Sequence, residues 1–275
     1  MGVARIVKEF ELGLGKEAAR RILKEQGLLH RRKRKRQRRN DLREIKAQWR
    51  VGQVTCTDTK DLSDLPAYWV QMKRLGLPAW QYTWREVRSG LMFLGYAQER
   101  SLQHATVFAE TILAWTSEQG MELEGSRWQT DGGSEFIGSW QAKKKSDFIK
   151  VLERHKISHF QIPKTTYNAD VETTHNLIEL EFFDIERFKD REDFFTKVST
   201  YQRWFNILRK NSYKANKSPL DILREAAPEI STAIVKLPAL DLDRLVRQKI
   251  ADLIQSPSSG GYHLPGHALA ASGTI

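Results

Sequence analysis

The chain has 275 residues, of which 40% are hydrophobic, enough to bury one substantial core with smaller appendages. No apolar run reaches the roughly 20 residues that a membrane-spanning helix needs, and the N-terminus lacks the apolar segment of a signal peptide, so we expect a cytoplasmic protein with no membrane partner. A single cysteine, Cys56, excludes a disulfide framework and a CxxC zinc site.

Positive charge is concentrated near the N-terminus. Residues 1–50 carry 17 Lys+Arg against 6 Asp+Glu, whereas the remainder is balanced at 28 against 28. The centre of this N-terminal positive charge is a run of eight cations in nine positions, namely Arg31, Arg32, Lys33, Arg34, Lys35, Arg36, Arg38 and Arg39. Such a run repels itself until an anionic polymer neutralises it, which predicts DNA binding. The alternative is a solvated, disordered linker.

Short helices are predicted in the same region. Residues 16–26 place apolar side chains on one face and precede Gly27, a common helix terminator. An earlier apolar set at 6–10 indicates a second helix, and the two look like the end of a helix-turn-helix array; a helical hairpin that packs on the core is the alternative. At 41–49, Asp41 is positioned to cap a further helix, with Glu44 completing a capping box. Residues 1–50 are therefore interpreted as a helix-turn-helix-like remnant and a basic DNA-binding linker.

From Val51 the pattern changes to strands and helices in alternation. The predicted elements are strands at 53–59, 81–87 and 91–98, a helix at 102–118, a strand at 127–130, a helix at 146–155, a strand at 158–162 and a helix at 169–188. This order predicts an α/β layer fold. Further helices are predicted at 192–210 and 219–226, and beyond 228 the pattern weakens into a loop and a tail.

Three acidic residues occupy distinctive positions in these elements. Asp58 lies within the first strand, Asp131 ends a strand before two glycines, and Glu172 lies near a helix start. Each has a structural alternative, since a strand Asp can pair with a buried Arg and Asp-Gly is a turn signal by itself. Nearby acids compete for the same roles: Asp61, Asp64, Asp170, Glu179 and Glu181.

This ordered D, D, E set resembles the integrase catalytic core of DDE transposases and retroviral-type integrases, and bacterial insertion-sequence transposases in particular. The resemblance runs from about Val51 to Leu223. The Asn-Gly-x-x-Glu motif of the family aligns on residues 168–172, with Ala169 in place of Gly and Thr173 where Arg often stands. The closing motif of the family aligns on residues 206–209 and 217–219.

The resemblance implies a ribonuclease H-like fold, a mixed five-stranded sheet with helices on both faces. It implies a catalytic core at 51–195, followed by C-terminal helices and a tail at 196–275. By the same resemblance, Asp58, Asp131 and Glu172 are the catalytic and metal-binding residues, and they hold Mg²⁺ or Mn²⁺, two ions in all. Carboxylates suit this role because Mg²⁺ takes hard oxygen ligands and because a pair of such ions can serve both oxygens of a phosphodiester transfer.

Other residues are candidates for DNA contact. Lys143, Lys144 and Lys145 lie where family members often carry a mobile loop over DNA, with an exposed charge run as an equal alternative. His175 falls on the same helical face as Glu172, and a contact near the metals or the DNA backbone is preferred to a core role.

The expected function is that of a DNA transposase or integrase that nicks the ends of a mobile element and joins them to target DNA. Its expected partners are double-stranded DNA and further copies of the chain on that DNA, with no small-molecule substrate, in the bacterial cytoplasm. Two alternatives are open, a ribonuclease H-like nuclease that cuts without joining and a catalytically impaired or domesticated DNA-binding remnant.

Overall fold

The structure, a computed structural model, describes residues 3, 6, 7, 11, 13–28, 42–139, 141, 144–162 and 169–255. The basic run at 31–39, the proposed cap Asp41, Lys143, Asn168 and the tail from 256 lie outside these ranges. Within the described part of the chain, no helix is both long and apolar enough to cross a lipid bilayer.

A six-stranded mixed sheet forms the centre of the fold. Its strands are β1 Val54–Asp61, β2 Trp80–Glu86, β3 Met92–Ala97, β4 Arg127–Thr130, β5 Ser158–Gln161 and β6 Leu240–Asp241, in the order β5-β4-β1-β2-β3-β6. The first three strands form an antiparallel meander. β4 and β5 add in parallel next to β1, and β6 adds in parallel next to β3. Gly90, at φ +82°, provides the left-handed backbone that the tight turn between β2 and β3 requires.

Helices connect the strands and cover the sheet. They are α1 Lys16–Glu25, α2 Arg43–Gln48, α3 Pro66–Leu75, α4 Leu102–Glu118, α5 Ser134–Ile137, α6 Asp147–Arg154, α7 Ala169–Ile178, α8 Arg191–Ile207, α9 Pro219–Ala226 and α10 Leu242–Gln255. α7 continues directly into a π-helical segment, Glu179–Phe183. Several starts carry side-chain caps, and Ser218 and Asp221 form a complete capping box on α9.

Both faces of the sheet are buried, as the family resemblance implied. All six residues of β3 are buried, and they alternate between two apolar clusters. Phe93 joins Trp84, Phe108 and Trp128 in one cluster, beneath α4 and α6. Met92, Leu94 and Tyr96 join the other, which includes Tyr68 of α3 and Phe194 of α8. The fold is therefore a three-layer α/β arrangement.

The structure departs from the prediction in several elements. The sheet has six strands rather than five, because Leu240–Asp241 pairs with β3. The helix predicted at 169–188 ends at Ile178 and passes into the π-helical segment. α3 and α10 were not predicted. α2 begins at Arg43, with Leu42 in the cap position and no side-chain cap, and the predicted capping residue Asp41 lies outside the described residues.

The domain boundary predicted between 195 and 196 falls inside α8, which runs from Arg191 to Ile207. Phe194 and Val198, on either side of that point, pack in the same apolar cluster. Residues 220–242 also contribute to the cluster beneath α4. The C-terminal helices therefore complete the core of the central sheet.

Candidate active site

Asp58 and Asp131 are brought together by the register of two parallel strands. Cys56 of β1 lies opposite Gln129 of β4, and extending this register by two residues sets Asp131 beside Asp58. Side chains at paired positions of neighbouring strands project from the same face of the sheet. Asp131 is exposed and Asp58 is half-buried, so this pair of carboxylates lies where the sheet meets solvent.

Glu172 approaches the same face on helix α7. Thr83 of β2 lies directly opposite Asp58, and its hydroxyl is 3.0 Å from His175 Nε2. One position earlier on the helix, Thr174 Oγ1 accepts a hydrogen bond of 2.7 Å from Arg85 of β2. These contacts lay α7 across β1 and β2, and Glu172 lies one helical turn before His175 on the same side.

The electrostatics of Asp58 reflect this convergence. Burial raises the pKa of its carboxyl to about 7, and the negative charges of Asp131, Glu172 and Glu135 add to the rise. A hydrogen bond of 2.8 Å from the Thr59 amide to Asp58 Oδ1 acts in the opposite direction. Acids that are distant in sequence therefore repel one another here, and a bound cation would relieve that repulsion.

Glu135 is a fourth carboxylate that the sequence interpretation did not assign. It lies on the short helix α5, only 2% exposed. Its Oε1 accepts a 2.7 Å hydrogen bond from Thr59 Oγ1 and lies 3.8 Å from Arg100 Nη1. Its Oε2 is buried with no hydrogen-bond partner among the described residues. An acid four positions after Asp131 in the same glycine-containing motif was the available signal.

The competing acids have partners of their own. Asp170 accepts a 2.6 Å bond from Lys46, and Asp64 is paired at 2.6 Å with Lys60. Asp61 caps the turn at Ser63, and Glu181 is bound by Arg209 at 2.6 and 2.7 Å. Glu179 has a raised pKa, caused first by burial. These partners leave Glu172 as the acid of α7 that acts on Asp58.

The donor set has the chemistry that a divalent cation requires. Asp58, Asp131 and Glu172 offer hard carboxylate oxygens, the type that Mg²⁺ and Mn²⁺ bind. The pKa of Asp58 is raised first by burial and further by the charges of Asp131 and Glu172. Within the described ranges, however, no three Asp, Glu, His or Cys side chains lie close enough to hold one metal ion. The acids are therefore neighbours of suitable chemistry without the compact arrangement of a formed metal centre.

The predicted DNA contacts have different outcomes. Lys144 is exposed, and Lys145 is exposed and paired with Glu153. His175 is 8% exposed and hydrogen-bonded to Thr83, which lies opposite Asp58, and the role predicted for it near the metals or the DNA backbone stays a prediction. Burial, with a smaller effect from Lys60, lowers its pKa to about 3. Its hydrogen bond to Thr83 links the helix that carries Glu172 to β2.

No protein-family model and no curated protein matches the chain. Among solved structures, it is similar to the HTLV-2 integrase catalytic core domain in complex with magnesium, at 15% identity and a TM-score of 0.41, over 63% of this chain and 97% of that one. It is also similar to a chain of the simian T-cell lymphotropic virus intasome in complex with the PP2A regulatory subunit B56 gamma, at 13% identity and a TM-score of 0.47, over 80% of this chain and 67% of that one.

Proposed function

We propose that the chain is a DNA transposase or integrase of the DDE class, a polynucleotidyl transferase of a bacterial mobile element. The observation that carries the proposal is the convergence of three acids from distant parts of the sequence. Asp131 follows the end of β4, and the parallel register of β4 with β1 directs it towards Asp58. Helix α7 approaches the same face through its contacts with β2. The order of these acids in the sequence, D, D, E, agrees with the family resemblance.

In this proposal Asp58, Asp131 and Glu172 hold two ions of Mg²⁺ or Mn²⁺. When bound, such ions supply an activated oxygen nucleophile and stabilise the leaving oxygen of a phosphodiester. The protein contributes two acids fixed by strand pairing and a third carried on a helix. The proposed reaction nicks the ends of the element, and the freed 3′-hydroxyl then attacks target DNA in a direct transesterification.

The proposed partner is double-stranded DNA, both as element ends and as target. The sequence supports this with its basic run at 31–39 and its balanced charge elsewhere. Lys144 and Lys145 are exposed and lie between α5 and α6, in the segment that follows Asp131 in the chain. We further propose that several copies of the chain assemble on two DNA ends in the bacterial cytoplasm.

A catalytically impaired DNA-binding protein is the second candidate. The observation that favours it is that the acids are not gathered at ligand distance within the described ranges. Ala169 and Thr173, the departures from the family motif that flank Glu172, favour it as well. This protein would retain the fold and the affinity for DNA while losing turnover.

A strand-transfer assay distinguishes these functions. The substrates are labelled blunt duplexes with randomised terminal sequences and a supercoiled plasmid, with Mn²⁺ or Mg²⁺. A transposase or integrase transfers label to the plasmid, a nuclease only nicks the plasmid, and an impaired remnant shifts the duplex in a gel without either product.

Asp58→Asn and Asp131→Asn should abolish transfer with DNA affinity nearly unchanged. Asp64→Asn is the matched control, because Asp64 is paired with Lys60 outside the cluster. Transfer that persists in Asp58→Asn would refute the assignment.

A further inference from the structure

Glu135 lies between the turn that carries Asp131 and the end of the strand that carries Asp58. It is 2% exposed, and burying a carboxylate is costly unless it is paired or serves a purpose. The hydrogen bond from Thr59 and the nearby Arg100 compensate for Oε1. No described residue does so for Oε2. Such a group requires an explanation beyond simple packing.

A short chain of contacts leads from Glu135 to Asp58. Thr59 donates its hydroxyl to Glu135 Oε1 at 2.7 Å and its backbone amide to Asp58 Oδ1 at 2.8 Å. One residue thus connects both carboxylates. Glu135 therefore binds the side chain of the residue whose backbone amide donates to Asp58.

A second chain of contacts leads to Asp131. The Gly133 amide donates to Asp131 Oδ1 at 3.0 Å, and the carboxyl group of Glu135 packs against the α-carbon of the same glycine. A Cβ at Gly133 would lie only 2.6 Å from the carboxyl carbon of Glu135, closer than real Cβ contacts. The position of the Glu135 carboxyl group therefore requires a residue without a Cβ at 133.

The geometry favours positioning over direct coordination. Asp58 and Thr59 are adjacent in β1, so their side chains project from opposite faces of the sheet. Glu135 binds Thr59, and it therefore reaches β1 from the face opposite Asp58 and Glu172. From that side it holds the strand and the turn together without itself joining the three acids.

We propose that Glu135 is a positioning residue that links β1 to the turn after β4 and so sets the relative orientation of Asp58 and Asp131. This role rests on the proposed function, because it concerns the same cation-binding acids. Groups that orient metal ligands commonly change metal affinity by about 10- to 100-fold when they are removed.

The test is Mn²⁺ binding to the 275-residue chain by isothermal titration calorimetry, together with thermal unfolding of each variant. Glu135→Gln keeps an oxygen that can accept from Thr59, whereas Glu135→Ala does not. Thr59→Ser keeps the hydroxyl donor, whereas Thr59→Val removes it. Glu118→Gln and Glu118→Ala, at an exposed position near the end of α4, are the matched controls.

We expect Glu135→Ala and Thr59→Val to weaken Mn²⁺ binding by about tenfold or more. Glu135→Gln, Thr59→Ser and both Glu118 variants should stay within about threefold of the wild type. A role in stability alone would lower the melting temperature of Glu135→Ala and leave the Kd of the folded protein unchanged, which would overturn the proposal. Equal losses in Glu135→Gln and Glu135→Ala would also overturn it, since Glu135 would then act through its charge.

Failure of the proposed function gives a different result. In that case the wild type binds no Mn²⁺, or Asp58→Asn binds Mn²⁺ as tightly as the wild type. Either result refutes both the proposed function and the role of Glu135. If the wild type binds Mn²⁺, Asp58→Asn does not, and Glu135→Ala is unchanged, only the role of Glu135 is refuted.

Discussion

Arg209 forms a two-pronged ion pair with Glu181, with its Nε and Nη2 donating to the two carboxylate oxygens at 2.6 and 2.7 Å. Both side chains are only 8% exposed. Glu181 belongs to the π-helical segment after α7, and Arg209 follows α8. The pair therefore fastens the far end of the segment that carries Glu172. In the aligned closing motif, Arg209 thus has a structural contact within the protein.

Removing one member of this pair should be strongly destabilising. Arg209→Met leaves the Glu181 carboxylate buried without its main cation, and we expect a loss of about 3–5 kcal/mol in the free energy of unfolding. The double variant Arg209→Met/Glu181→Met should lose less, because no charge remains unpaired. Urea denaturation of both variants measures the difference. If the two variants are equally unstable, the pair does not explain the burial of either group.

Asp58→Asn should stabilise the protein at pH 8 in EDTA. The folded pKa of Asp58 is raised from 3.8 to about 7, so the folded state favours the protonated form. The contribution of Asp58 to the free energy of unfolding is most favourable below its unfolded pKa. This contribution declines as the pH rises towards 7. Above pH 7 the penalty is complete, up to about 4 kcal/mol, and Asn removes it. Chemical denaturation at pH 8 and pH 4.5 should show a gain that shrinks at the lower pH. A gain that is the same at both values would contradict the prediction.

Acidification should weaken the fold through His175. Its folded pKa is lowered to about 3, first by burial and then by Lys60, whereas an unfolded His titrates at about 6.5. Below pH 6.5 the unfolded state binds more protons, so stability falls as pH falls, by about 2 kcal/mol between pH 6.5 and 5.

Two histidine variants separate this effect from others. His175→Gln should flatten the pH dependence between 6.5 and 5, measured by chemical denaturation. His155→Gln is the control, since His155 is exposed. If the pH dependence persists in His175→Gln, another group causes it. The next group to test is His159, whose pKa is also lowered by burial.

Gly133→Ala should disturb the site through Glu135. The added Cβ would collide with the Glu135 carboxylate, and overpacking of this kind costs about 1–3 kcal/mol. We expect lower stability and weaker Mn²⁺ binding. Combining it with Glu135→Ala should cost less stability than the two separate losses added together, because the collision is removed. Gly15→Ala is the control, since a Cβ there would meet nothing within 4 Å. Additive losses would show that the two residues do not meet.

The sequence predicted most elements of the sheet because their patterns are local. The helix at 102–118 and the strand at 127–130 have the bounds that were predicted. α3 was missed although Pro66 begins it and Gly76 ends it in the left-handed conformation, a pairing typical of helices. β6 has only two residues, too few for a period to be visible, and α10 follows it without a turn.

The site was harder to predict because its contacts join distant parts of the chain. The resemblance supplied Asp58, Asp131 and Glu172, but the burial of His175 depends on Thr83 in another strand. Glu135 was overlooked for the same reason, since its partners Thr59 and Arg100 lie far away in sequence. No local pattern reports which face of a strand such a side chain will approach.

Cys56 offers a practical consequence for experiments on this chain. It is the sole cysteine of the sequence, it is 1% exposed, and burial raises its pKa well above the ordinary value. A thiol with these properties reacts slowly with maleimides. A second cysteine introduced on the surface, for example at Glu118 or Lys144, can therefore accept a fluorophore or spin label against a silent background. Movements of the labelled segment then become measurable without first removing the native thiol.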